Sequence, residues 1–322
     1  MLAGAIAAAG SAWLAWGAHS YTMLLVALLI LGVANAALQL TSNLSLAKSV
    51  PAHRQGLAFG VKQSAIPLAI LLGGLAVPAI SVGFGWRWTF VLTTAFGLMV
   101  FAYGILLPTE GQRRGHSSAA AERPPLLALV VAAVAMAVAS AAVNSFGAFL
   151  AAWGYEVGMT PSHAGYLMAA GSGLSIAARV LTGHRADIRG GRNLPVVASQ
   201  MFMGGVGLAA VSVPNVPTLW PAAIVVFAVG WAWPGLMLFA VVRVGRDAPG
   251  AASGKIQAGA FLGGASGPVL FGLLVASTSY SFAWQLAGLC MLLAAGLVVL
   301  ARGLFRRDLR ERPLPSAGGK QQ

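Results

Sequence analysis

The residues best suited to chemistry in this sequence are one lysine and two glutamines inside long apolar stretches. Lys62 and Gln63 lie near the start of the apolar run 56–82, and Gln257 lies in a later run. A charge near the middle of a lipid bilayer costs at least about 2.5–3.5 kcal/mol, so such residues usually face a water-filled cavity or a partner. One cation with two amides predicts a binding site for an anion. Alternatively, Lys62 extends its ammonium group to the nearby membrane surface.

Amide and indole side chains in other apolar runs are further candidates for lining a path. Asn35, Gln39 and Asn43 recur every four residues, which places them on one face of a helix. That face points either to a cavity or to a neighbouring helix, where amides form interhelical hydrogen bonds. Asn144 is a similar isolated amide, and Trp231 stacks either on a substrate or in the packed interior.

The acids, the histidines and the single cysteine do not favour enzymatic or metal-centred chemistry. All seven Asp and Glu residues lie in loops, tails or the ends of apolar runs, so no buried carboxylate is available as a proton carrier. The five histidines lack metal-ligand spacing, a single cysteine forms no internal disulfide, and the sequence has no Walker loop. We therefore expect no cofactor, no metal and no catalytic residue.

The elements that position these residues must lie in lipid. Hydrophobic residues make up 58% of the chain and charged residues 8%, with a mean hydropathy of +0.81. Soluble domains typically have about 25% charged residues. Only helices and closed barrels span a bilayer, and long continuous runs favour helices. We predict an all-α polytopic bundle of about ten spans, at 2–18, 21–47, 56–82, 87–107, 125–153, 161–183, 194–213, 217–242, 252–277 and 282–304.

The basic residues lie mainly in the connections between these runs. Of the 20 lysines and arginines, Lys62 and Arg179 lie well inside runs and Arg87 lies at the outer side. The other 17 (20 − 3) lie in the inner connections, in the tail or within a few residues of the inner end of a run. Because cytoplasmic loops are enriched in basic residues, this bias predicts both termini on the cytoplasmic side of the cell (inner) membrane. The net charge of +13 is spread between spans, so it does not indicate nucleic acid as a partner.

One long polar stretch, 108–124, divides the chain and is predicted to be a cytoplasmic central loop. It separates a half bundle of four spans, 1–107, from a bundle of six spans, 125–304. The remaining residues, 305–322, are rich in arginine and are predicted to form a disordered basic tail.

The two parts of the chain contain an internal repeat. The glycine, alanine, glycine and glutamine of 56–63 recur with the same spacing at 250–257, at an offset of 194 (257 − 63). On this register the four spans before the central loop match the last four spans after it. We therefore expect that two helices of the repeat are missing from the front of the chain.

The segment that follows the sixth predicted span contains a motif that resembles a known family signature. The segment from Gly183 to Arg192 resembles the cytoplasmic loop signature of the major facilitator superfamily, G-x-x-x-D-(R/K)-x-G-R-(R/K), and keeps Gly183, Asp187, Gly190 and Arg192. The run G-W-R-W-T-F at 85–90 is similar to a run that is common before the family's sixth span. The resemblance implies a transporter fold in which this chain supplies spans three to twelve, and a gating role for the four signature residues.

Two charged residues near this loop have specific expectations. Asp187 is predicted to cap a helix N-terminus, so that its loop locks or releases the two halves of the transporter. The alternative is a solvated acid among arginines. Arg179, one turn inside its span, is predicted to extend to the cytoplasmic surface or to brace Asp187, with substrate contact as a third possibility.

The resulting functional hypothesis is a monomeric secondary transporter of a small molecule, moved by alternating access. Lys62, Gln63 and Gln257 would hold an anion, with the polar residues named above lining the path. The residues K-Q-S-x-x-P at 62–67 resemble the cyanate-permease-like branch of the superfamily. Two alternatives remain open, namely efflux of apolar or cationic compounds and a non-transporting scaffold or incomplete remnant.

Overall fold

The chain folds into helices connected by short turns, with no strand among the described residues. A computed structural model describes residues 2–106, 125–189, 193–244 and 249–311. The predicted all-α membrane bundle is confirmed. The α-helices are α1 (Leu2–Trp16), α2 (Tyr21–Ser49), α3 (Gln55–Gln63), α4 (Ala65–Ala76), α5 (Val82–Phe84), α6 (Trp88–Leu106), α7 (Leu126–Glu156), α8 (Pro161–Ile188), α9 (Asn193–Val211), α10 (Val216–Val225), α11 (Trp233–Val244), α12 (Pro249–Ser277) and α13 (Tyr280–Glu311).

Some of these helices stack end to end, so that nine helical segments of the described chain are long and apolar enough to cross a bilayer. The helices α3 to α5 form one such segment, and α10 with most of α11 forms another. The first helix, α1, has 15 residues and is shorter than a typical span.

The first four predicted spans make up one group, in which α1 packs against both α2 and α6, while α3 and α4 pack mainly against α8 of the second group. The Ser11 hydroxyl donates to the Ala27 carbonyl at 2.7 Å, which joins α1 to α2. At the predicted outer end, Gly85 has φ +92° and turns the chain into α6. Arg87, two residues later, donates to the Ala18 carbonyl at 3.1 Å and so connects the two outer turns.

The second group, α7 to α13, contains most of the buried core, and its most extensive helix pair is α7 with α12. A Cβ atom added at Gly259 or Gly263 would lie 2.3 Å or 1.9 Å from a carbonyl oxygen of α7. Only glycine allows so close a backbone approach in a membrane bundle. Gly259 and Gly263 therefore let the backbones of α12 and α7 come into contact.

Two predicted spans are interrupted rather than continuous. The 56–82 span breaks at Ser64, between α3 and α4, and Val77–Ser81 winds as a π-helix around Pro78. The 217–242 span passes from α10 into a second π-helix, Val226–Gly230, before two residues that break the helix ahead of α11. Proline lacks the N–H that a helix needs, so such breaks release backbone carbonyls for other partners.

The predicted disordered tail is partly wrong, because α13 continues to Glu311. Phe305 is 2% exposed and anchors this extension on the bundle. One turn further on, Arg307 and Glu311 form an ion pair at 2.8 Å with the spacing that stabilises a helix. The rest of the tail, 312–322, and the predicted central loop, 108–124, lie outside the described residues.

Candidate functional site

The two groups of helices meet along a seam in which α3 and α4 pack against α8. At one end of the seam, a Cβ atom added at Gly60 would lie 2.6 Å from the Arg179 carbonyl oxygen, and one at Gly183 would lie 2.5 Å from the Gly56 carbonyl oxygen. At the other end, a Cβ at Gly74 would lie 2.7 Å from the carbonyl oxygen of α8 that faces it. The seam is therefore closed at both ends, with backbone against backbone.

Asp187 caps the N-terminus of α3 across this seam. Its Oδ1 accepts from the Gly56 N–H at 2.7 Å, and its Oδ2 accepts from the Leu57 N–H at 2.9 Å. The residue at the N-cap position of α3, Arg54, makes no capping bond with its side chain, so these N–H groups depend on α8. The predicted capping role is confirmed, and the gating role remains a prediction. Gly190 and Arg192 of the same signature lie outside the described residues.

Arg179 lies at the centre of the seam rather than at the membrane surface. It is 1% exposed, which contradicts the prediction that it extends to the cytoplasmic surface. Its Nη1 donates to the Gln63 carbonyl at 2.8 Å and its Nη2 to the Trp231 carbonyl at 2.6 Å. No bond to Asp187 is present among the described contacts, so the bracing prediction is also wrong.

The helix breaks explain why Arg179 stays inside. Pro67 has no N–H for the carbonyl four residues earlier, so the Gln63 carbonyl is left without its helical partner. Trp231 lies in the two-residue break before α11, and its indole ring centroid is 6.0 Å from the Arg179 guanidinium carbon. Two carbonyl dipoles and an aromatic face therefore solvate the cation internally.

Together the two charges of α8 bind both ends of the short helix α3. Asp187 accepts from the first N–H groups of α3, and Arg179 donates to the carbonyl of its last residue. The partial charges of a helix are positive at the N-terminus and negative at the C-terminus, so each end meets the complementary charge. Because α3 belongs to one half and α8 to the other, the pair couples the two halves directly.

The predicted cation Lys62 lies on a different face of α3. Its Nζ donates to the Gln39 side-chain oxygen, and this bond joins α3 to α2. Asn35, one turn away on α2, is exposed. The side chain of Asn43 is outside the described set.

The remaining predicted residues have surroundings of their own. Gln63 is buried next to Gly235 of α11, and Gln257 is buried on α12 with its side-chain oxygen unpaired among the described residues. The Asn144 amide donates to the Ser140 carbonyl one turn back at 2.8 Å. No described hydrogen bond joins the side chains of Lys62, Gln63 and Gln257, and their joint site stays a prediction.

Trp231 belongs to an aromatic cluster inside the second group of helices. Its ring stacks on Phe227, at 6.0 Å between centroids, and meets Phe146 edge-on at 6.3 Å. The ring is 4% exposed. In this state its role is packing, together with holding its own carbonyl toward Arg179.

Sequence reasoning missed two buried serines close to Arg179. Ser172 and Ser175 on α8 are both 0% exposed, and neither hydroxyl has a hydrogen-bond partner among the described residues. Arg179 Nε is also unpaired. The spacing 172, 175 and 179 places the three residues on one helix face, a signal that the sequence contains.

Outside the seam, the other candidates for a site in the described part of the chain are metal-binding groups and cavities. The described residues contain no group of three His, Cys, Asp or Glu side chains that could hold a metal. A cavity of about 420 Å³ lies at the turns that follow α1 and precede α6, and none of the predicted site residues lines it. Because it is lined by Trp86, Trp88 and other surface aromatics, we regard it as an interfacial groove.

Comparisons with known proteins agree on one family. The model described as Major Facilitator Superfamily matches residues 1–257 and 132–322. An uncharacterized MFS-type transporter of Mycobacterium tuberculosis, MT3072 in strain CDC 1551 and Rv2994 in strain H37Rv, is 29% identical over 97% of this chain and 72% of its own length.

Among solved structures, the fucose:proton symporter FucP of E. coli superposes with a TM-score of 0.66 at 15% identity, covering 93% of this chain and 82% of FucP. The human organic anion transporter MFSD10 gives 0.67 at 17% identity, covering 94% and 76%. These two likenesses show the fold.

Proposed function

The chain belongs to the major facilitator superfamily, and from this premise we propose that it moves a small anion across the membrane by alternating access. It is a membrane transporter rather than an enzyme. That the substrate is a small anion belongs to the proposal.

The observation that carries the proposal is a pair of cations inside spans without carboxylate partners. Lys62 binds an amide oxygen and Arg179 binds two backbone carbonyls. The ion pair found among the described residues, Arg307 with Glu311, lies at the far end of α13. Buried charges are normally neutralised by a partner, and an anionic substrate would supply the missing negative charge.

The movement that the proposal requires takes place at the seam. Alternating access requires the two halves to separate at one end while they remain in contact at the other. The contacts of Asp187 and Arg179 with α3 would break when the predicted cytoplasmic end opens. The contact of Gly74 with α8 would break when the opposite end opens.

The names of the structural neighbours do not decide between substrates. One is named as a fucose:proton symporter and the other as an organic anion transporter. At identities below 25% these likenesses carry the fold alone, so the anion proposal depends on Lys62 and Arg179. The cyanate-permease-like branch, the two further front helices, the monomeric state and the cytoplasmic termini remain predictions.

The test is anion exchange by the purified protein in lipid vesicles. Vesicles loaded with formate, nitrate, sulfate or phosphate are diluted into the same radiolabelled anion, and uptake is followed. We expect wild-type protein to exchange at least one of these anions. We expect Lys62→Gln to abolish that exchange while it keeps its thermal unfolding temperature.

The matched control is Lys255→Gln, which removes a lysine near the start of α12, at the predicted cytoplasmic end. We expect this variant to exchange anions at close to the wild-type rate. If Lys62→Gln exchanges anions as fast as wild type, the anion proposal is wrong.

A further inference from the structure

Three donor-bearing side chains lie along one face of α8, at positions 172, 175 and 179. Residues three and four apart on a helix are neighbours, and helical side chains lean toward the N-terminus of their helix. The long side chain of Arg179 therefore extends over the turn that contains Ser175 and toward Ser172. The bonds of Arg179 agree with this direction. Gly60 faces the Arg179 backbone, and Gln63, which accepts from the side chain, lies about one turn closer to the C-terminus of α3, alongside the turn of α8 that precedes Arg179.

The two serines differ from other helical serines of this protein. Ser145, Ser266 and Ser277 each donate their hydroxyl to the carbonyl four residues earlier, at 2.8 to 3.0 Å. This local bond is the usual way to satisfy a serine inside a membrane helix. Ser172 and Ser175 are fully buried and do not make it. Their hydroxyls and Arg179 Nε are unpaired donors within the described structure.

These groups share the chemistry of an anion site. Guanidinium N–H groups only donate, and a hydroxyl is free to donate to an acceptor placed between them. The described residues place no carboxylate in contact with Arg179. A set of unpaired donors on one helix face with a net positive charge is complementary to an oxyanion.

The other half of the protein currently takes one of these donors. The Gln63 carbonyl accepts from Arg179 Nη1, and Gln63 lies on the segment that faces α8 across the seam. If α3 moves away from α8, Nη1 is released beside the unpaired Nε. A buried guanidinium that loses a carbonyl partner then requires another acceptor.

We propose that Arg179, Ser175 and Ser172 bind the oxyanion group of the substrate when α3 separates from α8. The inference deepens the proposed function and rests on it. The substrate and the Gln63 carbonyl compete for Arg179, so substrate binding favours the open seam and substrate release allows the seam to close. Transport and seam movement are thereby coupled at one guanidinium.

The test separates a ligand role from a structural role. Ser172→Ala and Ser175→Ala each remove an unpaired buried hydroxyl, so we expect the thermal unfolding temperature to stay the same or to rise. In the vesicle assay with the anion that wild-type protein exchanges, we expect each variant to raise KM by about tenfold, since a hydrogen bond to a charged ligand is lost. The matched control is Ser145→Ala, which removes a buried serine with a satisfied hydroxyl and should leave KM unchanged.

Arg179→Lys retains the charge but loses the forked donors, and we expect exchange to be lost. Its control is Arg87→Gln, which removes an arginine that also binds a carbonyl and contacts a tryptophan ring but lies at the outer surface. If both serine variants keep the wild-type KM, the inference is wrong, even if Arg179→Lys fails to fold.

The outcomes distinguish this inference from the proposed function. Loss of exchange in Lys62→Gln together with wild-type KM in both serine variants would leave anion transport standing and overturn the Arg179 site. If wild-type protein exchanges none of formate, nitrate, sulfate and phosphate, both proposals are wrong.

Discussion

Replacing Asp187 with asparagine should open the predicted cytoplasmic end of the seam. The carboxylate accepts two backbone N–H bonds from the start of α3, at 2.7 and 2.9 Å. Asparagine keeps one acceptor oxygen and presents an amide N–H₂ group to the second N–H, which cannot bond to it. It also removes the negative charge from the positive end of α3.

The size of the effect follows from these losses. A hydrogen bond to a charged group contributes about 1.5–3 kcal/mol, and a charge at a helix terminus contributes about 0.3–1 kcal/mol more. In the open state water hydrates the side chain of either residue, so most of this difference acts on the closed state. A net loss of about 2–4 kcal/mol shifts the ratio of closed to open seam by about 30-fold to about 900-fold.

The assay is a distance measurement between two spin labels that flank the seam. His53 precedes α3 and His184 lies on α8, and both are exposed. Both are replaced by cysteine in a Cys290→Ala background, labelled with nitroxides and measured by double electron–electron resonance in lipid. We expect wild-type protein to give mainly the shorter distance and Asp187→Asn to add a population at longer distance.

The control is Glu156→Gln, which removes an exposed carboxylate at the opposite end of the bundle and should leave the distances unchanged. An unchanged distance distribution in Asp187→Asn would refute the reasoning, since it would mean that the cap does not hold the seam closed.

Two further predictions concern the same seam. Gly74→Ala places a Cβ 2.7 Å from a backbone oxygen of α8, so it should open the predicted outer end of the seam and raise the reactivity of cysteines introduced there. Gly73→Ala places a Cβ that meets nothing within 4 Å, so it should leave that reactivity unchanged. Equal reactivity of the two variants would contradict the prediction. Pro67→Ala restores an N–H that can bond to the Gln63 carbonyl and compete with Arg179 for it. This variant should therefore weaken the bond between Arg179 and α3 and lower the unfolding temperature, although alanine is the better helix former. A higher unfolding temperature in Pro67→Ala would show that this carbonyl does not depend on Arg179.

The membrane fold could be predicted from the sequence because hydropathy acts over whole segments. A run of about 20 apolar residues is sufficient to identify a span, and no tertiary contact is needed. The cap by Asp187 was also within reach, since a carboxylate in a basic loop signature has few other structural uses. Gly259 and Gly263 are four residues apart, so the sequence places them on one helix face, where the structure shows them against α7.

The position of Arg179 could not be predicted in this way. Sequence alone treats an arginine one turn from a span end as free to extend to the surface. The structure holds it inside because two helix breaks release the Gln63 and Trp231 carbonyls at the same place. Pro67 predicts one of these breaks from the sequence. Which helix supplies the donor for the released carbonyl depends on how α3, α8 and α11 pack together.

The contacts of α8 with α3 have a further consequence for how this seam depends on sequence. Asp187 and Arg179 bind backbone N–H and carbonyl groups of α3, and neither depends on a side chain there. What α3 must supply is a close approach, which Gly56 and Gly60 provide. A larger residue at either glycine should therefore weaken the coupling more than the loss of any polar side chain of α3. The two glycines and the two charges of α8 therefore act together. The glycines bring α3 close to α8, and Asp187 and Arg179 then bind the positive and negative ends of the α3 helix dipole.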